Sequence, residues 1–213
     1  MAAISVSVYE AAPGKAIEAL GLIKEAQEII TGLGSRVQVG TLVRGGVQGQ
    51  LSIIVESDDS ASYGAALDKL YADEGFQQFT VRAQATQAAN PVRSVDYVEI
   101  PGCELAFDEI ASAGVIMASV FVIRDGRLQD SLERIQRWKA LTEKHGGKAR
   151  AMQAVASDPF GVTATVAYYE NFTEWGKIGK ALTADPEWQA FAAEIRGENS
   201  SADFLRTSLL RIV

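Results

Sequence analysis

The feature that most constrains this chain is that it repeats itself. Displacing the sequence by 112 positions lays residues 4–100 over 116–212 without a gap, and 16 of the 97 columns are identical. Chance gives roughly 6 for a composition of this kind. The matches fall where a duplicated fold needs them. Ile4-Ser-Val-Ser-Val-Tyr9 covers Ile116-Met-Ala-Ser-Val-Phe121, and Gly14, Gly34, Gly49 and Gly64 cover Gly126, Gly146, Gly161 and Gly176. Asp73 and Phe79 cover Asp185 and Phe191. Turn glycines and core aromatics at fixed offsets mark one unit built twice.

Each copy reads β-α-β-β-α-β. Strands rich in β-branched and aromatic residues are expected at 4–10 and 116–123, near 36–44 and 51–56, and at 94–100 and 206–212. A first helix is expected over about 14–31, with Leu20, Ile23, Ala26 and Ile30 on one stripe, and over about 126–143 in the second copy. Gly34 and Gly146 stand where such helices end. Gly45-Gly46-Val-Gln-Gly49 and Ser157-Asp-Pro-Phe-Gly161 read as hairpin loops. Second helices begin near 60 and 172, with Asp59 and Asn171 as N-caps. This order is the split βαβ of a ferredoxin-like fold. The fold class is α+β, with residues 1–101 and 116–213 as two ferredoxin-like repeats and 102–115 as linker.

Composition narrows the function. Residues 1–101 carry 7 basic and 12 acidic side chains, and 116–213 carry 13 and 12. Neither half is a cationic surface for phosphates, which argues against nucleic-acid binding. One histidine and one cysteine leave no soft zinc site within a chain, and no resident cofactor is expected. The lone Cys103 and the lack of a long apolar run point to a cytoplasmic protein away from membranes.

A ferredoxin-like sheet has helices on one face, so its other face needs water or a partner. Alternation in the first strand places Ile4, Val6 and Val8 under the helices and leaves Ser5, Ser7 and Tyr9 on the open face, with Met117, Ser119 and Phe121 as counterparts. The other strands add Gln38, Gly40, Glu56, Tyr97 and Glu99, or Arg150, Met152, Tyr168, Leu209 and Arg211. That mixture suits a small-molecule pocket formed where the two open faces meet. Tyr9, Phe121, Arg150, Tyr168, Arg211 and Glu99 are the ligand-binding candidates, and no catalytic residue stands out.

Two ferredoxin-like units meeting sheet to sheet is the arrangement of the dimeric α/β-barrel superfamily. Asp185-Pro-Glu-Trp-Gln-Ala-Phe191 resembles a segment common in NIPSNAP-type members, and the pattern is similar to antibiotic-biosynthesis-monooxygenase domains. The resemblance implies an intrachain pseudo-dimer, with a further homodimer as an open option. It also implies a choice among haem-degrading oxygenases, cofactor-independent quinone-forming monooxygenases, isomerases, dye-decolourising peroxidases and members of unknown role. Asn171 and Trp175, at i, i+4, look like a pair that assists oxygen chemistry in some of these monooxygenases, although capping and packing explain them equally. His145 sits at a helix end, where structure alone accounts for it.

The reading that follows is a small-molecule-binding protein for an apolar or aromatic ligand. A cofactor-independent monooxygenase or isomerase acting on a quinone-like substrate is the alternative, and a filled, purely structural barrel is the third. The second copy, richer in aromatics and arginines, is the expected active half.

Overall fold

The chain runs β1 (Ala3–Ala11), α1 (Ala16–Gly32), β2 (Arg36–Arg44), β3 (Gln50–Ser57), α2 (Ser60–Ala72), α3 (Glu74–Thr86) and β4 (Ala89–Glu99). It continues through α4 (Phe107–Ile110), β5 (Val115–Ile123), α5 (Leu128–Lys144), β6 (Lys148–Ala154), β7 (Val162–Tyr169), α6 (Phe172–Ala184), α7 (Pro186–Arg196) and β8 (Ala202–Ile212). The computed structural model describes residues 1–213 except Gln48, Ala156, Ser157, Asp158 and Phe160. Most of the hairpin loop expected at 157–161 lies outside the described residues.

The residues divide into two units. One holds Met1–Val98 with Leu210–Val213, and the other holds Glu99–Leu209. The strand order is β4-β1-β3-β2 in the first and β8-β5-β7-β6 in the second, antiparallel at the pairings of β1 with β3 and of β5 with β7. That order is the ferredoxin-like arrangement expected. In the first unit α1 and α3 cover the sheet through Ala19, Ile23, Ala26 and Phe79, which pack on Val39, Leu51 and Ile53. In the second, Ile178 and Leu182 of α6 pack on Val115, Ala167 and Tyr169.

The helix ends follow the sequence signals. Gly34 and Gly146 adopt φ of 99° and 89°, a left-handed geometry that favours glycine, and the Gly34 N–H closes the last turn of α1 on Thr31 O. Each second helix is followed directly by a third. Asp73 and Asp185 leave the helical region with ψ of 120°, and their carboxylates accept from the N–H groups of Phe76 and Glu187 to start α3 and α7. Pro186 in the first turn of α7 fixes the break, because it lacks the N–H that a continuing helix needs.

The strand pairing corrects one face assignment. Ser7 lies opposite Ile53, and Ile53 lies opposite Val39, so all three point to the helices. Ser5, Ser7 and Tyr9 therefore lie under α1–α3, and Ile4, Val6 and Val8 face away with Glu56, Ile54 and Ser52. The second unit repeats this: Met117 pairs with Ala167, which places Met117, Ser119 and Phe121 beneath the helices. Alternation sorts a strand into two sets but does not say which set meets the helix layer, and both sets here hold apolar and polar members. The other strands fall as expected, with Gln38, Arg150, Met152, Val166 and Tyr168 on the face away from the helices.

The last strand holds a second correction. Ser7 bonds to Ser94 at 2.9 Å, and Ser119 bonds to Thr207 at 2.8 Å. β8 is thus displaced from β4 by 113 positions, although β5 is displaced from β1 by 112. The extra residue lies between α7 and β8, and it reverses the parity of the strand. Leu209 turns to the helix side with Ala167, and Leu210 faces away, against Gly40. Arg211 consequently shares the parity of Leu209 and is exposed.

Gly114, at the entry to β5, has the tightest glycine site. Its N–H donates to Tyr169 O at 3.0 Å, and a Cβ on it would stand 2.4 Å from the backbone oxygen of Glu170. Gly114→Ala is expected to lower stability by about 2 kcal/mol through that overlap. The check is the midpoint of urea unfolding, and an unchanged midpoint would show that the linker yields freely.

Candidate functional site

A cavity of about 510 Å³ lies inside the second unit, between the sheet and helices α5 and α7. Its walls are aromatic. Phe121 of β5 meets Phe204 of β8 edge to face at 5.6 Å, and Trp188 tilts against Phe191 at 5.8 Å. Trp138 comes from α5, one turn beyond Arg134. Its floor is a row of hydroxyls from the sheet, Ser119, Thr163, Thr165 and Thr207, which strand pairing brings side by side. Among the described residues two cations line it, Arg134 and Arg196, and no carboxylate does. Arg134 is committed to Glu194 at 2.9 Å and to Asn199 O, whereas Arg196 is exposed at the end of α7.

The first unit has a cavity of about 460 Å³ in the corresponding place, lined by Ser5, Ser7 and Tyr9 from the sheet and by side chains of α1, α2 and α3. In both units small hydroxyl-bearing residues point from the sheet toward the helices at the cavity, Ser5 and Ser7 in the first and Ser119, Thr163 and Thr165 in the second. The sequence expectation put the first-strand members of this set, with Tyr9 and Phe121, on the opposite face.

Three of the expected binding residues do meet, in a buried cluster. The Arg150 Nε donates to the Tyr168 hydroxyl at 2.7 Å, and its guanidinium lies 5.2 Å from the Tyr168 ring centre. Glu99 stands 3.8 Å from Arg150, with the two side chains 4% and 1% exposed. The Leu105 N–H also donates to Glu99 at 3.1 Å. Arg150 lies on β6 opposite Val166 of β7, two positions from Tyr168, so the cross-strand diagonal makes the contact. A charge this deeply buried needs its partner.

The remaining candidates are structural. Asn171 caps α6 by accepting from the Glu174 N–H at 3.0 Å, and Trp175 packs on the core cluster of Ala167 and Ile178 without lining the cavity. His145 follows α5 and bonds to Asp185 at 2.8 Å, away from both cavities. Lys144 also holds Asp185, and these two bonds with the Glu187 N–H keep its carboxyl far below the usual range. Cys103 is fully buried beside Ile100, Ile135 and Ala151, and burial pushes its thiol pKa up. Among the described residues, no three His, Cys, Asp or Glu side chains gather to hold a metal ion, and no helix is long and apolar enough to cross a membrane.

No family model matches the chain, and neither does any curated protein. Solved structures match over nearly its whole length. An anthrone oxidase-like protein has a TM-score of 0.63 at 11% identity, covering 100% of this chain and 91% of that one. A candidate monooxygenase from Fusobacterium nucleatum reaches 0.67 at 11%, over 99% and 92%. Another from Lactobacillus acidophilus NCFM reaches 0.63 at 9%, over 100% and 93%. This chain has the dimeric α/β-barrel fold. Chlorite dismutases, such as that of Candidatus Nitrospira defluvii at a TM-score of 0.57 and 8% identity, share the fold too. At such identities the likeness is one of fold, which serves many chemistries.

Two outcomes follow from the buried contacts. Glu99→Leu or Arg150→Met alone should each cost about 3–5 kcal/mol, and the two together should cost much less than their sum, because neither buried charge is then left by the loss of the other. Chemical denaturation of the natural protein, the two single variants and the double variant forms the cycle. For Asp185, the folded state favours the deprotonated form, so its contribution is complete above about pH 4 and fades as acid protonates it below that. The melting-temperature gap between the natural protein and Asp185→Asn should therefore narrow from pH 4 to pH 2, and a gap that widens would contradict the assignment.

Proposed function

We propose that the chain is a small-molecule-binding protein whose second unit takes a flat, oxygen-bearing aromatic molecule between its sheet and helices α5 and α7. The observation that carries this is the make-up of that cavity, with aromatic walls, a floor of hydroxyls and guanidinium charge without a lining carboxylate. Apolar walls supply affinity in proportion to the surface they dry. The hydroxyls can donate to a ring oxygen, and Arg196 favours a ligand bearing negative charge.

A second reading, oxygenation of that ligand without a cofactor, draws on the fold shared with anthrone oxidase-like and candidate monooxygenase proteins. The cavity lacks a histidine or carboxylate base, but cations can do related work by stabilising the enolate of an anthrone. The proton leaves to solvent, and the enolate is the reductant for O2. The ring CH2 becomes C=O, taking one oxygen atom, while the other leaves as water. A haem-dependent reaction finds no histidine in either cavity, since His145 is tied to Asp185.

Anthrone, 1,4-naphthohydroquinone and 1-hydroxyanthraquinone should quench the fluorescence of Trp138 and Trp188, and Arg196→Gln should weaken ionised ligands about tenfold, a loss of roughly 1.4 kcal/mol. No quenching by any of the three at millimolar concentration would end the binding reading. Quenching by anthrone without oxygen uptake on an electrode would end the oxygenase reading alone.

A further inference from the structure

We propose that the first unit carries a second ligand site, electrostatically unlike that of the second unit, that takes a neutral phenol. The inference stands independently of what the second unit binds.

Among the described residues, the cavity of about 460 Å³ beneath α1–α3 is lined by no charged side chain. Its apolar part is aromatic, with Phe76 and Phe79 stacked at 6.2 Å and Tyr71 edge-on to Phe76 at 6.2 Å. Its polar lining includes Ser35, Thr80 and Gln84 and a group on the β1–β4 side. Ser7 and Ser94 share a hydrogen bond of 2.9 Å there, Ser5 neighbours them, and Tyr63 of α2 reaches over from the helix layer. The Tyr63 hydroxyl donates to Asp96 on β4 at 2.9 Å. With its proton committed to Asp96 and one lone pair accepting from the Ser5 hydroxyl, the Tyr63 oxygen keeps one lone pair for the cavity.

That arrangement selects a ligand head. A neutral hydroxyl can donate to the Tyr63 oxygen and accept from the serines, satisfying both halves of its hydrogen-bonding capacity. An anion would meet no lining cation among the described residues, and the exposed Asp96 carboxylate beyond Tyr63 disfavours it further, so a neutral head is preferred. The aromatic walls select a ring to carry the hydroxyl.

Comparison of the two units shows that the dyad is not part of the scaffold. At the position of Tyr63 the second unit has Trp175, and opposite it, where the first unit has Asp96, it has Leu209. Both belong to one apolar cluster with Ala167 and Ile178. The fold is therefore satisfied by apolar packing at this place, and the first unit has a phenol–carboxylate pair there instead. Unit one recognises a hydroxyl where unit two simply packs.

The test is titration of the full chain with 2-naphthol, 2-methylnaphthalene and 2-naphthoate, followed by NMR shifts of Ile53 and Ala66, which line the cavity, and by tryptophan fluorescence. All three tryptophans lie in the second unit, so fluorescence reports that unit and the shifts report the first. 2-Naphthol should move the Ile53 and Ala66 signals and bind at least tenfold more tightly than 2-naphthoate. Tyr63→Phe, which keeps the ring, should weaken 2-naphthol about tenfold and leave 2-methylnaphthalene unchanged. Ala66→Phe, which fills the space, should abolish the Ile53 shift with either neutral ligand while leaving any quenching in the second unit intact. The proposal is overturned if 2-naphthol leaves those signals still, if 2-naphthoate binds as well as 2-naphthol, or if Tyr63→Phe changes both neutral ligands equally or neither.

Discussion

Side chains in a strand alternate, so the pairing of β1 with β3 and of β5 with β7 decides what every helix in this protein touches. Had the β1–β3 pairing slipped by one residue, Ile4, Val6 and Val8 would sit under α1, and the serines that floor the first cavity would leave it. The observed register brings Ser5 and Ser7, or Ser119, Thr163 and Thr165, beneath the helices. Short hydroxyl side chains do not fill the space that Leu or Ile would, and a volume opens. Helix α5 then lines it with Arg134 and Trp138, and α7 with Trp188 and Arg196. Cavity, aromatic walls and charge all derive from that parity.

Two copies of one scaffold have accepted different chemistry at equivalent places. The caps are common to both: Asp59 and Asn171 start α2 and α6, and Asp73 and Asp185 start α3 and α7. Caps govern where helices begin, and a changed cap disturbs the whole layer. Cavity positions are freer. Where the first unit has Leu22, Ala26 and Gln84, the second has Arg134, Trp138 and Arg196 at the same offsets, which gives one cavity no lining charge and the other two cations. On the opposite face, Gln38 of the first unit corresponds to the buried Arg150 of the second, whose charge is met by Glu99.

Much of the fold was legible because its signals are local. Turn glycines at repeated offsets, the capping residues Asp59 and Asn171, and β-branched runs each depend on a few neighbouring residues. The face assignment was less accessible, since β1 and β5 have apolar members in both alternating sets and a sequence does not display its helix layer. Arg150 and Glu99 are conspicuous in the sequence as charges among apolar strand residues, and they meet with Tyr168 in one buried cluster. Tyr9 and Phe121 lie on the face opposite to the one that alternation suggested. Arg134, Trp138, Arg196 and Tyr63 carry no comparable local signal, since each is an ordinary helix residue until the sheet beneath it is known. The one-residue insertion before β8 left no trace in a gapless comparison, and only the Ser119–Thr207 bond reveals it.

Residues 210–213 belong to the first unit, not the second. Leu210 lies where Gly40 leaves room for it, and the Val213 N–H donates to Val39 O at 3.0 Å. A ribosome making this chain finishes β1 to β4 more than a hundred residues before it supplies those four. The first unit accordingly waits, with part of one strand edge unsatisfied, until synthesis has passed through the whole of the second. Its maturation is tied to late translation, and a nascent chain stalled anywhere in the second half would expose that edge to chaperones or to another polypeptide.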